Sequence, residues 1–179
     1  ENLKFDLAPD FNGLFAERSL DEKNPKDEMI IDMRSVLKFS SAFESANLQI
    51  AYIKAPEVYG LRMADDTNTN GHTQWFYFAV RNTFKDKTVK FFLENFMKPK
   101  SQYQKGMQLV CYSVKKSKLG WHRAGNDINY FKNHLKKKNN NKNMHSMSFT
   151  YKFEKENDTV FFAYFYPYTY SLLRGFVDK

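Results

Sequence analysis

The chain has 179 residues, with 28 lysines and arginines against 20 aspartates and glutamates and a formal net charge of +8. This length fits a single domain that can bury a core without disulfides or a structural metal. Aromatic residues make up 17% of the chain, which excludes a disordered or low-complexity sequence, and the absence of a run of about 18 apolar residues excludes a spanning helix.

The single cysteine, Cys111, excludes an internal disulfide. Secreted sandwiches of this size often carry a disulfide, so the cysteine count favours a reducing compartment and a cytoplasmic location. The chain begins at Glu1 and shows no basic region followed by an apolar stretch. This pattern predicts a fragment or a processed chain without a secretory signal.

Residues 1–34 are mixed in composition and weakly periodic, and we interpret them as an N-terminal extension. From about residue 30 onward, short aromatic or β-branched runs are separated by clusters of Asn, Asp, Gly and Lys, which is typical of strands joined by turns. Strands are predicted near residues 30–39, 47–54, 57–64, 73–80, 87–95, 107–114, 127–134, 144–153 and 158–165.

The alternation is clearest where Met147, Phe149, Tyr151 and Phe153 share one face of a predicted strand. A period of two with one polar face is typical of antiparallel sheets, and no long helical period falls between the predicted strands. The sequence therefore predicts an all-β fold, an antiparallel β-sandwich of about nine strands over residues 35–167.

Two runs within the predicted strands, residues 75–80 and 160–165, are apolar on both faces. Such runs suit central strands covered on both sides, or strands at an inter-domain face. After Pro167, Thr169 is placed to cap a helix over residues 170–177. We expect residues 168–179 to be the linker or the first helix of a following domain that is not in this chain.

The positive charge is regional. Residues 98–142 contain twelve lysines and arginines against one acid, Asp127, a net charge of +11, and the other residues sum to −3. A basic region attracts acidic partners such as an acidic polypeptide or nucleic acid, although a solvated lysine-rich face gives the same pattern. Residues 136–142 look like a flexible insertion, but the bias persists without them.

Motifs that carry chemistry are absent from the sequence. The four histidines show no zinc-binding spacing, there is no Gly-rich phosphate loop, and Cys111 lies in an apolar run where it is expected to pack. We therefore expect no catalytic residue, no metal ligand and no cofactor in this chain. Asp66–Trp75 reads as a turn that enters the most aromatic strand.

Several segments, taken in order, are similar to those of one family. They are Phe43–Leu48, Asp66–Asn68, His72–Phe78, Asn95–Pro99, Ser101–Tyr103, Gly106–Gln108, Tyr112–Val114, Trp121, Arg123, Gly125, Asp127–Ile128, Tyr130, Lys132–His134, Phe161–Tyr164 and Tyr166–Ser171. Over about residues 35–173 the chain resembles the N-terminal domain of the cytosolic carboxypeptidases, zinc enzymes that shorten glutamate chains on tubulin. It departs from the family pattern at Ala46, where Gly is usual, and at Leu109, where Pro is usual.

The resemblance implies an antiparallel sandwich packed against a carboxypeptidase domain of the same polypeptide. It places the zinc ligands and the catalytic glutamate in that following domain, so zinc is a cofactor of the parent enzyme and this fragment alone is not an enzyme. The implied partners are the carboxypeptidase domain and acidic polypeptide tails such as those of tubulin. We expect no membrane partner, and we expect acidic polypeptides rather than nucleic acid as the binding partners.

Two groups of candidate site residues follow from these considerations. An aromatic sheet face would supply the domain interface, and cations would attract a polyglutamate chain. The candidate interface residues are Trp75, Tyr77, Tyr168 and Tyr170, and the candidate docking residues are Lys98, Lys100, Arg123 and Lys132. Two alternatives stay open: an independent module that binds acidic polymers or nucleic acid, and a self-contained enzyme.

Overall fold

Two five-stranded β-sheets pack face to face in the computed structural model, which describes residues 36–137 and 141–178. One sheet, here called sheet one, has the strand order β1-β4-β10-β6-β7, and sheet two has the order β2-β3-β5-β9-β8. The strands are β1 (Lys38–Ser40), β2 (Leu48–Ala55), β3 (Val58–Met63), β4 (Tyr77–Arg81), β5 (Thr88–Phe96), β6 (Leu109–Ser113), β7 (His122–Ala124), β8 (Asn126–Lys136), β9 (Asn143–Lys152) and β10 (Val160–Ala163).

The predicted all-β sandwich is confirmed, and its strand pairs are antiparallel except at one place. β3 and β5 are parallel neighbours in sheet two. The chain leaves sheet two after β3, adds β4 to sheet one, and returns to form β5 in its original direction. The parallel pair is therefore a consequence of crossing between the sheets, which alternation along the sequence does not report.

The predicted strands from 47–54 to 158–165 each overlap an observed strand. β7 was missed, because its three residues are too few to show alternation. Residues 1–34 and most of the predicted strand 30–39 lie outside the described residues, and β1 covers the end of that strand. The predicted helix is confirmed as α1 (Tyr170–Val177), and the Thr169 side chain accepts a hydrogen bond from the Leu172 N–H at 3.3 Å.

The core is built around Phe162 of β10, which is fully buried. Its ring centroid lies 5.6 Å from that of Phe78 in the same sheet, and 5.6, 5.6 and 4.9 Å from Phe91, Phe149 and Tyr151 of sheet two. Each residue stands on the inward face of its strand because side chains alternate along a strand. The aromatic composition thus supplies the contact between the sheets.

The outer face of sheet one is also apolar and is covered by the chain's own loops. Tyr77 of β4 and Phe161 of β10 are buried there beneath Phe43, whose ring centroid lies 4.8 and 5.2 Å from theirs. Trp121 covers the same cluster, 5.8 Å from Tyr77. Within the runs 75–80 and 160–165, residues 77–80 and 160–163 are buried in strands covered on both sides, as expected, whereas Phe165 is 45% exposed.

A buried carboxylate joins three loops at one end of sheet one. Asp158, which is 3% exposed, accepts hydrogen bonds from Ser113 Oγ at 2.5 Å and from the Lys115 N–H at 3.0 Å, and its own N–H donates to Thr83 Oγ1 at 2.8 Å. These contacts link β6, the turn after β4 and the turn before β10.

The part of the chain that the structure describes contains no helix with the length and hydrophobicity of a membrane span.

We expect Asp158→Ala to lower the free energy of unfolding by about 2–4 kcal/mol. The substitution leaves the buried Ser113 hydroxyl and the partly buried Lys115 amide without this acceptor, which is more costly than the loss of an exposed contact. Glu154→Ala is the control, because Glu154 forms an exposed ion pair with Lys116, and its loss should change stability by about 0.5 kcal/mol or less. Urea unfolding of both variants measures the difference, and equal losses would contradict the assignment.

Candidate interface and docking site

A cleft of about 640 Å³ opens beside the segment that follows β10. Its walls come from three parts of the chain: the connection between β1 and β2, the long connection between β3 and β4, and the segment leading to α1. The lining residues are Ser45, Ala46, Asn47, Ala64, Asp65, Asp66, Thr67, Trp75, Phe165, Tyr166 and Tyr168. Two of the predicted interface residues, Trp75 and Tyr168, therefore share one cleft.

Trp75 is held in the cleft wall by a hydrogen bond. Its indole Nε1 donates to the Ser45 carbonyl at 2.8 Å. Asn47 fixes the backbone on both sides, since its Nδ2 donates to the Trp75 carbonyl at 2.9 Å and its Oδ1 accepts from the Tyr77 N–H at 3.0 Å. Sequence reasoning did not assign this role to Asn47, and the Phe43–Leu48 segment was the only signal that contained it.

Tyr77 and Tyr170 occupy contrasting positions. Tyr77 is 3% exposed beneath Phe43 and Trp121, and burial raises the pKa of its hydroxyl well above the ordinary value. It would support an interface from beneath rather than contact a partner. Tyr168 and Tyr170 are 54% and 65% exposed. Their assignment to a domain interface stays a prediction.

A buried lysine supports the turn on the other side of the cleft. Lys137 Nζ donates to the carbonyls of Asn70, at 2.9 Å, and Gly71, and lies 3.5 Å from Asp65 Oδ2. Gly71 has a φ of +78°, and a Cβ there would overlap the Lys137 ammonium. Lys137 lies in the segment 136–142, which was interpreted as a flexible insertion, but its side chain is only 7% exposed and its ammonium is surrounded by three oxygen atoms.

Arg123 on β7 connects the cations with the aromatic segment. The centre of its guanidinium lies 4.6 Å from the Phe165 ring centroid and 5.4 Å from that of Tyr166, and its Nη1 donates to the Gln108 carbonyl at 2.5 Å. A guanidinium stacked on aromatic rings keeps outward-facing donors for a carboxylate. The predicted docking residue thus lies against rings that line the cleft.

Lys98 and Lys132 flank Tyr130 at the end of sheet two. The Tyr130 hydroxyl donates to the Lys98 carbonyl at 2.6 Å, and Lys132 lies opposite His145 in the β8–β9 pair. Burial, and then the charge of Lys132, lowers the pKa of His145, whose ring stacks on Tyr130 at 5.9 Å. Lys98, Lys100 and Lys132 are at least partly exposed.

A chain of ring contacts joins the two candidate groups. Tyr164 lies 6.5 Å from Trp75 and 5.9 Å from Phe76. Phe76 contacts Phe96 at 6.2 Å, which in turn contacts Tyr130 at 6.0 Å. The aromatic and basic candidates, scattered over about a hundred positions of sequence, are therefore parts of one end of the sandwich.

Glu44 anchors α1 to this end. Its Oε1 accepts a hydrogen bond from the Ser171 N–H at 2.9 Å, and this backbone hydrogen bond is the largest cause that lowers the pKa of the Glu44 carboxyl. A carboxylate at a helix N-terminus satisfies a free N–H and complements the helix dipole. Leu173 and Phe176 of the anchored helix are 42% and 70% exposed. Sequence reasoning assigned Glu44 no role.

No cluster of three or more His, Cys, Asp or Glu side chains able to hold a metal occurs within residues 36–137 and 141–178. The donors present there do not fit a zinc site. Cys111 Sγ lies 3.2 Å from His122 Nε2, but burial raises the pKa of the thiol to about 11. Such a thiol stays protonated at neutral pH and is a poor nucleophile.

Comparison with known proteins identifies relatives of much greater length. The family model described as cytosolic carboxypeptidase N-terminal domain matches residues 39–165. The chain is 39% identical to cytosolic carboxypeptidase 2 of Homo sapiens over 168 residues, which cover 92% of this chain and 18% of the human protein. It is 40% identical to cytosolic carboxypeptidase 3 of Mus musculus over 147 residues, 80% of this chain and 14% of the mouse protein.

Two solved bacterial structures share the fold. A metallo-carboxypeptidase from Burkholderia cenocepacia matches with a TM-score of 0.55 and 18% identity over 80% of this chain and 33% of its own. A metallo-carboxypeptidase from Pseudomonas aeruginosa matches with a TM-score of 0.52 and 20% identity over 79% of this chain and 32% of its own. In both, the match covers about a third of the protein.

We expect the attachment of α1 to depend on pH through Glu44. The pKa of its carboxyl in the folded chain lies below the ordinary value of 4.5, so the contact is fully present above pH 4.5 and is lost as the pH falls through the lower folded-state value. The amide chemical shift of Ser171, followed by NMR, should titrate in that range, and Glu44→Gln should abolish the titration. In the control Glu154→Gln the titration should persist. A Ser171 titration that survives Glu44→Gln would contradict the anchor.

Proposed function

The chain belongs to the cytosolic carboxypeptidase family, whose N-terminal domain it contains, and from this premise we propose that it is a non-catalytic accessory domain of a zinc carboxypeptidase. The domain supports the folding and orientation of the catalytic domain in the same cytoplasmic polypeptide. It also helps to dock the acidic protein tails, such as those of tubulin, from which the parent removes glutamates. The observation that carries this proposal is the exposed aromatic and basic end of the sandwich.

The interface role rests on the apolar surface at that end. Tyr168, Tyr170 and Phe176 are each more than half exposed, and they follow one another along the segment from the cleft through α1. Contiguous exposed apolar side chains are uncommon on isolated domains and mark contact surfaces. The hydrogen bond from the Ser171 N–H to Glu44 anchors this segment to the connection between β1 and β2. An anchored apolar surface of this kind suits a stable contact with a neighbouring domain.

The docking role rests on the cations beside the same surface. Arg123 suits bidentate binding of a carboxylate, and Lys98, Lys100 and Lys132 supply point charges. A glutamate chain that reaches the catalytic domain past this end would meet favourable charge over several residues. Zinc belongs to the catalytic domain, where it would polarise a carbonyl and activate water. The role of the present residues is to bind and to orient.

The interface role predicts a stability effect that appears only in a longer polypeptide that also contains the catalytic domain. There, Tyr168→Ala combined with Tyr170→Ala should remove contacts worth about 1–3 kcal/mol each. The Tm of the catalytic domain should fall by several degrees, at roughly 2–4 °C per kcal/mol. In the 179-residue chain the same pair should change the free energy of unfolding by only about 0.5 kcal/mol, because both side chains are exposed.

The control for this experiment is Leu119→Ala in the longer polypeptide. Leu119 is an exposed apolar residue, 53% accessible, on the 3₁₀ turn after β6. The Leu119→Ala substitution should leave the Tm of the catalytic domain unchanged. An equal effect of both substitutions, or no effect of the tyrosine pair, would refute the interface.

The accessory role further predicts that the purified 179-residue chain with added zinc does not hydrolyse a glutamate-ended peptide. The described residues hold no metal cluster, and the thiol of Cys111 is protonated at neutral pH. Release of free glutamate, measured by mass spectrometry, is the readout. Hydrolysis that a chelator abolishes would show a self-contained enzyme instead.

A binding comparison tests the independent-module alternative. Tighter binding of a single-stranded oligonucleotide than of a glutamate peptide at physiological salt would favour that alternative.

A further inference from the structure

The solvent-facing side of sheet two carries a set of charged and aromatic side chains that sequence reasoning did not single out. The strand registers place these residues on one face, because Gly60 lies opposite Phe92 and Ile50 opposite Arg62. Across β9, Ser148 lies opposite Phe92 and Ser146 opposite Phe131, so Phe131 of β8 lies on the same face. The set, here called the Glu94 face, consists of Ile50, Tyr52, Lys54, Arg62, Lys90, Phe92, Glu94 and Phe131.

Glu94 organises this face. Its side chain is 8% exposed although it lies on the outer side of the sheet. Lys54 Nζ donates to Oε1 at 2.6 Å, and the Tyr52 hydroxyl and Arg62 Nε donate to Oε2 at 2.6 and 3.4 Å. Burial raises the pKa of the Glu94 carboxyl, but the hydrogen bonds from Lys54 and Tyr52 and the nearby positive charges outweigh burial and lower it. A charged Glu94 thus holds side chains from two neighbouring strands in place.

Gly60 makes the arrangement possible. A Cβ at this position would overlap the Tyr52 ring, 2.5 Å from its Cε1. The absence of a side chain on β3 therefore lets Tyr52 of β2 lie across that strand and reach Glu94 on β5. The face is a built structure in which a glycine, a tyrosine and a buried carboxylate fit one another.

Two lysine ammonium groups share the ring of Phe92. Lys54 Nζ lies 5.4 Å and Lys90 Nζ lies 5.3 Å from its centroid. Cation–π contacts hold both charges close to the sheet. Two cations, those of Lys54 and Arg62, thus contact the Glu94 carboxylate, and Lys90 adds a third positive charge beside Phe92. The face therefore keeps a net positive charge.

Exposed apolar side chains border the cations. Ile50 is 37% exposed on β2 and Phe131 is 41% exposed on β8, at opposite edges of sheet two. An ordinary solvated lysine face needs neither a buried carboxylate nor exposed apolar borders. Ordered cations between apolar side chains are instead suited to a ligand that is both anionic and partly apolar.

We propose that the Glu94 face is a second docking surface for an acidic polypeptide segment, bound through Lys54, Arg62 and Lys90. The inference rests on the proposed function in one respect, since that function makes acidic protein tails the partners of this domain. Charge complementarity selects the acidic partner. A polypeptide fits better than nucleic acid, because the Phe92 ring is already covered by two ammonium groups and is not free to stack on a base.

The test measures binding of a fluorescent glutamate homopeptide to the 179-residue chain by anisotropy at low salt. Lys54→Ala combined with Lys90→Ala should weaken binding by about tenfold, because each lysine–carboxylate pair contributes on the order of 0.7 kcal/mol and about 1.4 kcal/mol is tenfold. The matched control is Lys118→Ala combined with Lys155→Ala, which removes the same charge from exposed positions away from this face. Circular dichroism checks that both variants are folded.

Arg123→Ala combined with Lys132→Ala separates this inference from the proposed function. If this pair weakens binding and the Lys54/Lys90 pair does not, the Glu94 face is excluded while the docking role of the sandwich end survives. If only the Lys54/Lys90 pair weakens binding, the second surface is supported and docking at the sandwich end fails. Equal losses in the control pair, tighter binding of a single-stranded oligonucleotide, or sedimentation as a dimer that Phe131→Ala dissolves would each overturn the inference.

Discussion

The packing of Phe162 against rings from both sheets is the contact on which the rest of the domain depends. β10 lies in the middle of sheet one, and its inward-facing Phe162 meets Phe91, Phe149 and Tyr151 across the sandwich. Because protein interiors are close-packed, these rings set both the spacing of the sheets and the register of β10. The direction in which the chain leaves β10, and hence the position of everything from Tyr164 to α1, follows from that register.

The functional end of the sandwich is assembled by hydrogen bonds rather than by apolar packing alone. Asn47 binds the backbone of Trp75 and Tyr77, Glu44 binds the first turn of α1, and Lys137 binds the turn at Gly71. Each contact satisfies a polar group that would otherwise be costly to bury or to leave open at a helix end. Rigid loops of this kind allow exposed aromatic side chains to serve as an interface, since little conformational entropy remains to be lost on docking.

The two basic surfaces differ in how their charges are held. At the sandwich end, Arg123 stacks on exposed rings of the segment that leads to α1. On the Glu94 face, a buried carboxylate and a shared ring hold the cations against the outer side of sheet two. Both arrangements restrict long side chains that are otherwise costly to order, and both leave donors available to a carboxylate partner. The regional charge of the sequence therefore corresponds to only part of the basic surface, because Lys54, Arg62 and Lys90 lie outside residues 98–142.

Local patterns in the sequence were enough to predict most of the strands and the helix after Thr169, and the ordered motifs were enough to indicate the family. Side-chain alternation in Met147–Phe153 and the cap at Thr169 depend only on residues a few positions apart, so they are readable without a structure. Tertiary structure alone decided the burial of Glu94 and Lys137, the roles of Asn47 and Glu44, the parallel β3–β5 pair and the union of the two candidate groups at one end. The partners of Glu94 lie 32 to 42 positions away and the partner of Glu44 lies 127 positions away. A charged side chain becomes buried only when such distant donors converge on it, and that convergence is set by the packing of the sheets rather than by any local pattern.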